Sequence, residues 1–325
     1  MIKIVVDTLG SDNGYIPSLE GSIKALNELD DLTLVLAGKI DEMEEELSKM
    51  EYDKDRLILL DSKQVITNHD HPVEAIRTKK ESSMIIGLNH LKNNEDSMGM
   101  VTASSTGALI VGSTLILGRM LNLRPALATF LPNSNGKLSV LMDCGANIDP
   151  TPEMVLSYAI MGSALYKAYY VKDNPTVALL SNGAEEGKGN SLIKESYKLL
   201  KESNVNFIGN TEGTDALDGT KDVIVSDGFS GNIFLKTVEG AAKAVIKDCF
   251  KFAKIEENQE FAKLGQKLAY EYDLTSRGGA ILIGTNKVII KGHGNANNLT
   301  WYNCIKICHK LIKNNIIEDI KNNIK

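Results

Sequence analysis

The sequence has no apolar run long enough to cross a membrane, and it contains few cysteines, prolines and aromatic residues. Among 325 residues there are 4 cysteines and 7 prolines, and aromatic residues make up 6%. Four scattered cysteines cannot supply the disulfide framework of a secreted protein. The prolines form no cluster that would mark a linker between domains. The N-terminus shows no signal-peptide pattern, so we expect a cytoplasmic protein with reduced thiols.

Basic residues are also scarce relative to acidic ones. Lys and Arg number 36 against 42 Asp and Glu, which gives a net charge of -6. A protein that binds nucleic acid through its backbone normally carries a basic surplus, so we expect no nucleic-acid partner. Hydrophobic residues make up 43% and charged residues 24%, which is ordinary for a globular protein.

Several common catalytic signatures are absent from the chain. The phosphate-binding pattern GxxxxGK[ST] does not occur, and LGSDNG after the first apolar run does not fit GxGxxG. Neither GxSxG nor the zinc patterns HExxH and CxxC is present. Cys304 and Cys308 lie four residues apart, and we interpret them as buried thiols of a helix rather than as metal ligands. We therefore expect no nucleotide cofactor and no metal.

Short β-branched runs alternate with longer helical stretches along the chain. The runs at 2–7, 32–38 and 57–61 predict strands, and one long helix is predicted from about Pro72 to Lys92. Continuous apolar strands between helices are typical of a mainly parallel sheet with helices on both faces. We therefore predict an α/β fold, a three-layer α/β/α sandwich with a doubly wound sheet, as a single domain over 1–325. Residues 240–272 lack a strand pattern and predict a helical excursion.

Loops rich in Gly, Asn, Asp and Thr follow the predicted strands. In parallel sheets ligands bind beyond the carboxyl ends of the strands. Glycine lets the backbone approach a ligand closely, and the amides at a helix N-terminus attract anions. The loops therefore predict a phosphate-bearing or polyanionic ligand, although tight strand–helix connections account for part of the pattern. They comprise 7–14, 102–109, 143–149, 181–190, 208–215, 226–232 and 292–298.

One lysine and one histidine in these loops are candidates for chemistry. Lys188 lies between two glycines, where Glu185 and Glu186 could orient it, or it is a solvated charge on a turn. His293 lies in the segment GHG, directly after the predicted strand KVIIK. Either a ligand contact or a hydrogen bond within the loop accounts for that histidine.

Longer segments of the chain resemble the bacterial phosphate acyltransferase family of phospholipid synthesis, the PlsX family. The resemblance runs in order along nearly the whole chain. It is carried by HPVEAIRTKKESSM (71–84), RPAL (124–127), DCGANID (143–149), NGAEEGKGN (182–190), NFIGNTEGTD (206–215), VSDGFSGNIFLKTVEG (225–240) and RGGAILIG (277–284).

The resemblance implies an enzyme that transfers a fatty acyl group from acyl carrier protein to inorganic phosphate. It also implies a homodimer with a phosphotransacetylase-like or isopropylmalate dehydrogenase-like fold, no nucleotide, and peripheral membrane contact in some members. Lys188 and Arg77 are the expected catalytic cations, and the aspartates below are expected to fix loop geometry. The expected substrate-binding residues are Asp7, Gly10, Asp12, Ser83, Thr106, Gly107, Arg124, Asn147, Glu186, Asn210, Asp227, Asn232 and His293.

Five positions depart from the pattern of that family. Ser104 and Ser105 replace Gly and Asn of the usual AGNTGAL, Ser11 replaces a glycine, Tyr15 replaces a proline, and Ala296 replaces a serine. Two other interpretations therefore stay open. One is a paralogue that forms acyl or acetyl phosphate, similar to the amino-acid reductase component, and the other is a catalytically weakened regulatory scaffold.

Residues 241–255 predict an amphipathic helix with a basic face. Acyl carrier protein is acidic and this chain is acidic overall, so docking needs a local basic patch. The lysines are either a solvated face of a packed helix or a surface for the carrier or an anionic membrane. The apolar stripe comprises Ala242, Val245, Ile246, Cys249 and Ala253, and the lysines are Lys243, Lys247, Lys251 and Lys254.

Overall fold

The computed structural model describes residues 1–273 and 278–324. The strands are β1 (Ile2–Asp7), β2 (Leu32–Gly38), β3 (Leu57–Asp61), β4 (Ser97–Thr102), β5 (Ala126–Pro132), β6 (Leu138–Met142), β7 (Thr176–Leu180), β8 (Asn206–Thr211), β9 (Val223–Val225), β10 (Ala280–Ile283) and β11 (Val288–Lys291). The helices are α1 (Ile16–Glu28), α2 (Ile40–Leu47), α3 (Pro72–Thr78), α4 (Ser83–Asn93), α5 (Thr106–Ile116), α6 (Pro152–Tyr170), α7 (Ser191–Glu202), α8 (Gly228–Ile255), α9 (Gln259–Glu271), α10 (Asn298–Lys313) and α11 (Ile316–Asn323). None of these described helices combines the length and the apolar character that crossing a bilayer requires.

The chain forms two compact units, whereas the sequence offered no linker by which to divide it. The first unit contains Met1–Leu127, Lys167–Asp173 and residues 278–324, and the second contains Ala128–Tyr166 and residues 174–273. The chain leaves the first unit after Leu127 and returns to it briefly within α6. Because each unit is assembled from separate segments, no Pro- or Gly-rich linker is needed to mark its boundary.

The sheet of the first unit has the strand order β3-β2-β1-β4-β11-β10. All neighbouring pairs are parallel except β10 and β11, which are antiparallel. From β1 the chain moves outward to β2 and β3 on one side, and β4 then lies on the other side of β1. Such a reversal is a topological switch point, where ligands of open α/β sheets bind.

Helices cover both faces of this first sheet. A Cβ on Gly87 of α4 would lie 3.0 Å from Cε of Met100, whereas a Cβ on Gly99 would collide with Sγ of Cys308 on α10. Successive residues of a strand face opposite sides of a sheet, so α4 and α10 cover opposite faces of β4. Helix α1 packs against α10. The predicted helix–sheet–helix layering with a mainly parallel sheet is confirmed in this unit.

The single helix predicted from Pro72 to Lys92 is wrong, because the structure has two helices there. The backbone between α3 and α4 leaves the helical path to pair with residues 63–64. Glu81 O accepts hydrogen bonds from the N–H groups of Lys63 and Gln64, and Ser83 N–H donates to Gln64 O. Pattern alone cannot show this, since the competing partner is distant in sequence. The break also places Ser83 at the buried start of α4.

The sheet of the second unit has the order β5-β6-β9-β7-β8, with β5 antiparallel to β6 and the other pairs parallel. The ladder continues past β6 and β9, where Ser226 N–H donates to Met142 O at 2.8 Å and Asp143 N–H donates to Ser226 O at 3.0 Å. The loops 143–149 and 226–232 therefore begin at the same edge of this sheet.

The predicted helical segment 240–272 consists of the C-terminal half of α8, which ends at Ile255, and of α9, which begins at Gln259, and the two helices pack against each other. A Cβ on Gly265 of α9 would lie 3.1 Å from Cβ of Cys249, which shows how closely the helices approach. Val245, expected on the packed apolar stripe, is instead 55% exposed. The hairpin buries its Cys249 side and leaves further apolar side chains at the surface: Phe250, Phe252, Ile255, Phe261 and Leu264.

Candidate functional site

Three polar residues lie in one row where the central strands of the first unit end. Asp7 of β1 is the register partner of Thr102 of β4, and Thr102 is in turn the partner of Lys291 of β11. All three strands are parallel, so this row is the carboxyl edge of the sheet. Asp7 and Thr102 stand at the topological switch point between β1 and β4.

The Asp7 carboxyl group is fully buried and accepts two hydroxyl hydrogen bonds. Thr102 Oγ1 and Ser104 Oγ each donate to Asp7 Oδ2 at 2.7 Å. Burial raises the pKa of the Asp7 carboxyl, while Ser83, the two hydroxyls and the Leu9 N–H oppose that shift. Ser83, expected from the sequence as a substrate-binding residue, therefore faces this carboxyl. A buried carboxyl with these neighbours fixes the loops that carry them.

Lys291 was missed by the sequence analysis. Its side chain is 9% exposed, and Nζ donates hydrogen bonds to Ala103 O at 3.1 Å and to Gly292 O. Burial lowers the pKa of Lys291 to about 8, and Cys304, Asp7 and Asp12 partly offset that effect. The available signal was a lysine ending the apolar run KVIIK directly before GHG.

The 7–14 and 292–298 loops are joined by hydrogen bonds to backbone carbonyls. Asp12 N–H donates to Gly294 O at 2.7 Å, Ser11 Oγ donates to the same oxygen at 3.0 Å, and Asn13 Nδ2 donates to Asn295 O at 2.8 Å. A Cβ on Gly294 would lie 2.7 Å from Oδ2 of Asp12, so a larger residue there would have to displace the Asp12 carboxyl group. The structure thus brings Asp12 to the loop that carries His293, whose side chain is exposed.

Gly10, Thr106 and Gly107 lie at the same edge of the first unit. Gly10 has a φ of +83°, and a Cβ there would collide with Oγ of Ser104, so both conformation and space require glycine. Thr106 is the first residue of α5, where Ser105 Oγ caps the Ala108 N–H at 3.5 Å. A Cβ on Gly107 would lie 2.8 Å from Cγ of Pro72, the first residue of α3, so the start of α5 packs closely against the start of α3.

Two arginines expected at the site are placed differently by the structure. Arg77 is exposed in the last turn of α3, which begins beside α5. The Arg124 carbonyl oxygen would lie 3.2 Å from a Cβ on Gly284, which follows β10. Because β10 is antiparallel to β11 and Ala280 pairs with Lys291, Gly284 lies at the opposite edge of the sheet. The structure therefore does not bring the Arg124 backbone to the row of Asp7 and Lys291.

The second unit has its own polar edge, organised around the buried carboxyl group of Asp143. Asn147 donates to Asp143 Oδ2 from its backbone N–H at 2.7 Å and from Nδ2 at 3.2 Å. Asn147 O accepts the N–H of Gly228 at 2.8 Å, which ties this loop to the start of α8. Asp227 caps α8 by accepting the Ser230 N–H at 2.8 Å. Asn147 and Asp227 thus build the loops, and Asn232 is exposed one turn along α8.

Lys188 is exposed in the 181–190 loop, with its chain lying over Gly183. The expectation that Glu186 orients this lysine is wrong, because Glu186 Oε2 pairs with Lys201 Nζ at 3.0 Å. Lys201 of α7, 15 residues further along the chain, therefore takes the place that was expected for Lys188 as the partner of Glu186. Asn210 Nδ2 donates to Glu185 O at 3.0 Å, so Asn210 holds the Lys188 loop against the end of β8.

All four cysteines are buried. Burial raises the pKa of Cys304 to about 12, and it raises the pKa values of Cys144 and Cys308 as well. These thiols are poor nucleophiles at neutral pH. Within residues 1–273 and 278–324, no group of three or more His, Cys, Asp or Glu side chains could hold a metal ion.

Comparison with known proteins identifies the family. The family model described as "Fatty acid synthesis protein" matches residues 2–319. The chain belongs to this family. It is 40% identical over 328 residues to the phosphate acyltransferase of Clostridium botulinum (strain Alaska E43 / Type E3), with 98% of each chain covered. It is 39% identical over 334 residues to the phosphate acyltransferase of Clostridium novyi (strain NT), covering 100% of this chain and 99% of the relative. The predicted membership of the phosphate acyltransferase family is therefore confirmed.

Solved structures show the same fold for this fatty acid synthesis family member. EutD phosphotransacetylase from Staphylococcus aureus matches with a TM-score of 0.62 and 16% identity, covering 95% of this chain and 93% of that chain. A phosphotransacetylase from Streptococcus pyogenes matches with a TM-score of 0.60 and 19% identity, covering 96% and 94%. The predicted phosphotransacetylase-like α/β fold is confirmed by these matches.

Proposed function

We propose that this protein is a phosphate acyltransferase that moves a fatty acyl group from acyl carrier protein to inorganic phosphate. A phosphate oxygen forms a bond to the thioester carbonyl carbon, and the carbon–sulfur bond breaks. The proton of hydrogen phosphate is transferred to the departing thiolate, so the products are acyl phosphate and the free carrier thiol.

The observation that carries this proposal is the relationship of about 40% identity over essentially the full length to proteins named phosphate acyltransferase. The polar row at the switch point of the first unit supports it, because this is the edge where α/β sheets bind ligands. The loops there approach each other closely through glycine, as at Gly10 and Gly294.

Direct attack by phosphate fits the side chains of this chain better than a covalent acyl-enzyme does. Phosphate is already an anionic nucleophile at neutral pH, so the protein has to supply proximity and charge stabilisation. The cysteines are buried, and the raised pKa of Cys304 keeps that thiol protonated. No nucleotide or metal cofactor takes part in the proposed reaction.

Two cationic side chains are proposed to stabilise negative charge on the substrates and in the transition state. Lys188, exposed and unpaired among the described residues, neutralises the oxyanion that develops on the thioester carbonyl. Arg77, exposed at the end of α3, attracts phosphate. Thr106, Asn210 and Asn232 are proposed hydrogen-bond donors to substrate, with Glu186 and His293 as further substrate contacts. Asp7, Asp12, Asn147 and Asp227 support the loops through the hydrogen bonds already described, as do Gly10, Ser83 and Gly107 through their packing.

The partners we propose are acyl carrier protein, a second copy of this chain and, peripherally, an anionic membrane surface. The α8–α9 hairpin supports these proposals with exposed apolar side chains, among them Phe252 and Ile255, beside a row of exposed lysines. An acidic carrier is attracted to such lysines even though the chain is acidic overall.

The decisive experiment is to incubate the protein with long-chain acyl carrier protein and inorganic phosphate and to search for acyl phosphate by mass spectrometry. Formation of acyl phosphate that depends on both substrates supports the proposal. Acetyl phosphate from a short-chain donor alone would favour the paralogous activity. Binding of phosphate or carrier without turnover would favour the regulatory scaffold and sink the enzymatic proposal.

A further inference from the structure

Lys291 is a buried cation at the carboxyl edge of the first unit to which the reaction described above gives no role. It is the last residue of β11 and shares a register row with Thr102 and Asp7. Its side chain is nine-tenths buried, which is rare for lysine unless the charge is paired. The substrate proposed for this edge carries the opposite charge.

The Lys291 ammonium group joins two polar loops through their backbones. Nζ donates to Ala103 O, in the segment that leads into α5, and to Gly292 O, which opens the loop carrying His293. Both acceptors are main-chain carbonyls, so the lysine fixes the course of each loop rather than one side chain.

A buried ammonium group is costly unless hydrogen bonds and opposite charges compensate it. The acidic groups that face Lys291 are Asp7 on β1 and Asp12 in the following loop, and the Cys304 thiol faces it from α10. Burial raises the pKa of Asp7 and so favours the neutral, protonated form of that carboxyl group. The positive charge at this edge is therefore only partly neutralised by the protein.

We propose that Lys291 is a positioning residue for phosphate: it holds the 103–106 and 292–297 segments together and keeps a positive charge at their edge. This inference rests on the proposed acyl transfer, because it names the residue that prepares the edge for the phosphate anion. Lys291 acts on phosphate indirectly, through the position of the two loops and through the electrostatic attraction of its positive charge.

The chain supplies a matched control on the same strand. Lys287 directly precedes β11, at the other end of the strand, and is half-buried. Its Nζ donates to Glu95 O at 3.3 Å and to Ser97 O at 2.5 Å. Lys287→Met and Lys291→Met thus each remove one partly or wholly buried lysine bonded to two backbone carbonyls, at opposite edges of the sheet.

The test compares phosphate kinetics and phosphate binding in the two variants, with thermal unfolding as the measure of folding. We expect Lys291→Met to raise the KM for phosphate at least tenfold, with a smaller change in kcat. Lys287→Met should leave the KM for phosphate unchanged. Lys291→Arg, which keeps the charge, should recover most of the phosphate affinity. This variant also covers the case in which Lys291→Met fails to fold.

A pH profile separates positioning by charge from simple loss of packing. Because the pKa of Lys291 is lowered to about 8, wild-type kcat/KM for phosphate should fall as the pH rises through that value. The Lys291→Arg variant should retain its kcat/KM for phosphate at those pH values, since an arginine stays charged. A profile identical in both proteins would contradict the role of the charge.

The outcomes also separate this inference from the proposed function. If the wild type forms acyl phosphate while Lys291→Met and Lys287→Met have the same KM for phosphate, the inference is overturned and the function stands. Calorimetric titration with inorganic phosphate alone tests the inference without turnover: binding lost only in Lys291→Met supports it. If the wild type neither binds phosphate nor forms acyl phosphate, both are overturned.

Discussion

Thr102 Oγ1 lies 2.7 Å from Asp7 Oδ2, joining the last residues of the two parallel strands that flank the switch point of the first unit. Ser104 Oγ donates to the same carboxylate oxygen and also lies 3.1 Å from Leu9 O. Because this carboxyl group is shielded from water, its partners must come from the protein. The geometry of the loops that follow β1 and β4 therefore depends on one buried acid.

Replacing Ser104 with alanine should destabilise the protein, because Asp7 loses one of its hydroxyl donors. Leaving a buried acceptor short of a partner costs about 1–3 kcal/mol. The free energy of unfolding in urea at pH 7 measures this loss. Ser113→Ala is the control, since Ser113 is buried and its hydroxyl has no hydrogen-bond partner among the described residues. Equal losses in the two variants would show that the Asp7 contact contributes nothing.

Replacing Asp7 with asparagine should change how stability depends on pH. Burial raises the pKa of Asp7 in the folded state above its ordinary value of 3.8, so ionisation of this group opposes folding at neutral pH. That cost disappears as the pH falls toward the ordinary value. The stability of the variant minus that of the wild type, the margin, should therefore be larger at pH 7 than at low pH. Thermal melts between pH 4.5 and 8 measure the margin, and a margin that grows at low pH would contradict the sign.

The strands and their polar ends could be predicted from the sequence because both depend on local patterns. Buried parallel strands appear as continuous apolar runs. The apolar run IKIVVD ends at Asp7, so the pattern predicts that this carboxyl group lies at the end of β1. The same local patterns were sufficient to predict the α/β class and the position of Gly10 and Asp12 near one edge of the sheet. The family resemblance, carried by long segments, added the expected chemistry.

The remaining features depend on contacts between distant residues. Lys291 looks like an exposed charge after a strand, and only the fold shows that it is covered and bonded to Ala103 O. The Arg124 backbone lies at the other edge because β10 runs antiparallel, and sequence pattern does not give strand direction. Glu186 in the 181–190 loop forms an ion pair with Lys201 near the end of α7, and no rule of sequence spacing predicts this pair.

Replacing Lys188 with alanine should slow acyl transfer. If its charge stabilises the developing oxyanion, turnover should fall about 10²–10³-fold, which corresponds to roughly 3–4 kcal/mol. Steady-state kinetics with acyl carrier protein and phosphate measure the effect. Lys201→Ala is the control, because it breaks the exposed pair with Glu186 without touching Lys188, and an exposed pair contributes little. Turnover near the wild-type value in Lys188→Ala would remove this lysine from the chemistry.

Replacing Arg77 with alanine should raise the phosphate requirement more than it lowers turnover. A cation that attracts phosphate acts mainly on binding, and its loss should raise the KM for phosphate about tenfold. The control is Arg119→Ala, an exposed arginine beyond the C-terminal end of α5, at the other end of the helix from Thr106. An unchanged phosphate dependence in Arg77→Ala would count against the proposed role.

Reversing the charge of two lysines on α8 should weaken docking of acyl carrier protein. Lys243, Lys247, Lys251 and Lys254 are all exposed, and no described residue forms an ion pair with them. The double variant Lys247→Glu, Lys251→Glu should raise the KM for acyl carrier protein about tenfold, an effect that weakens with added salt. The KM for the same acyl group on coenzyme A should change little, because that donor has no acidic protein surface.

The matched control for this double variant is Lys198→Glu, which reverses one exposed charge on α7 of the same unit. It should leave the KM for acyl carrier protein within about twofold of the wild-type value, since Lys198 lies outside the proposed docking helix and salt screens the effect of one exposed charge. Co-sedimentation with vesicles containing anionic lipid provides the competing readout. If the α8 variant loses vesicle binding while its KM for acyl carrier protein is unchanged, the lysines face a membrane surface and the carrier docks elsewhere.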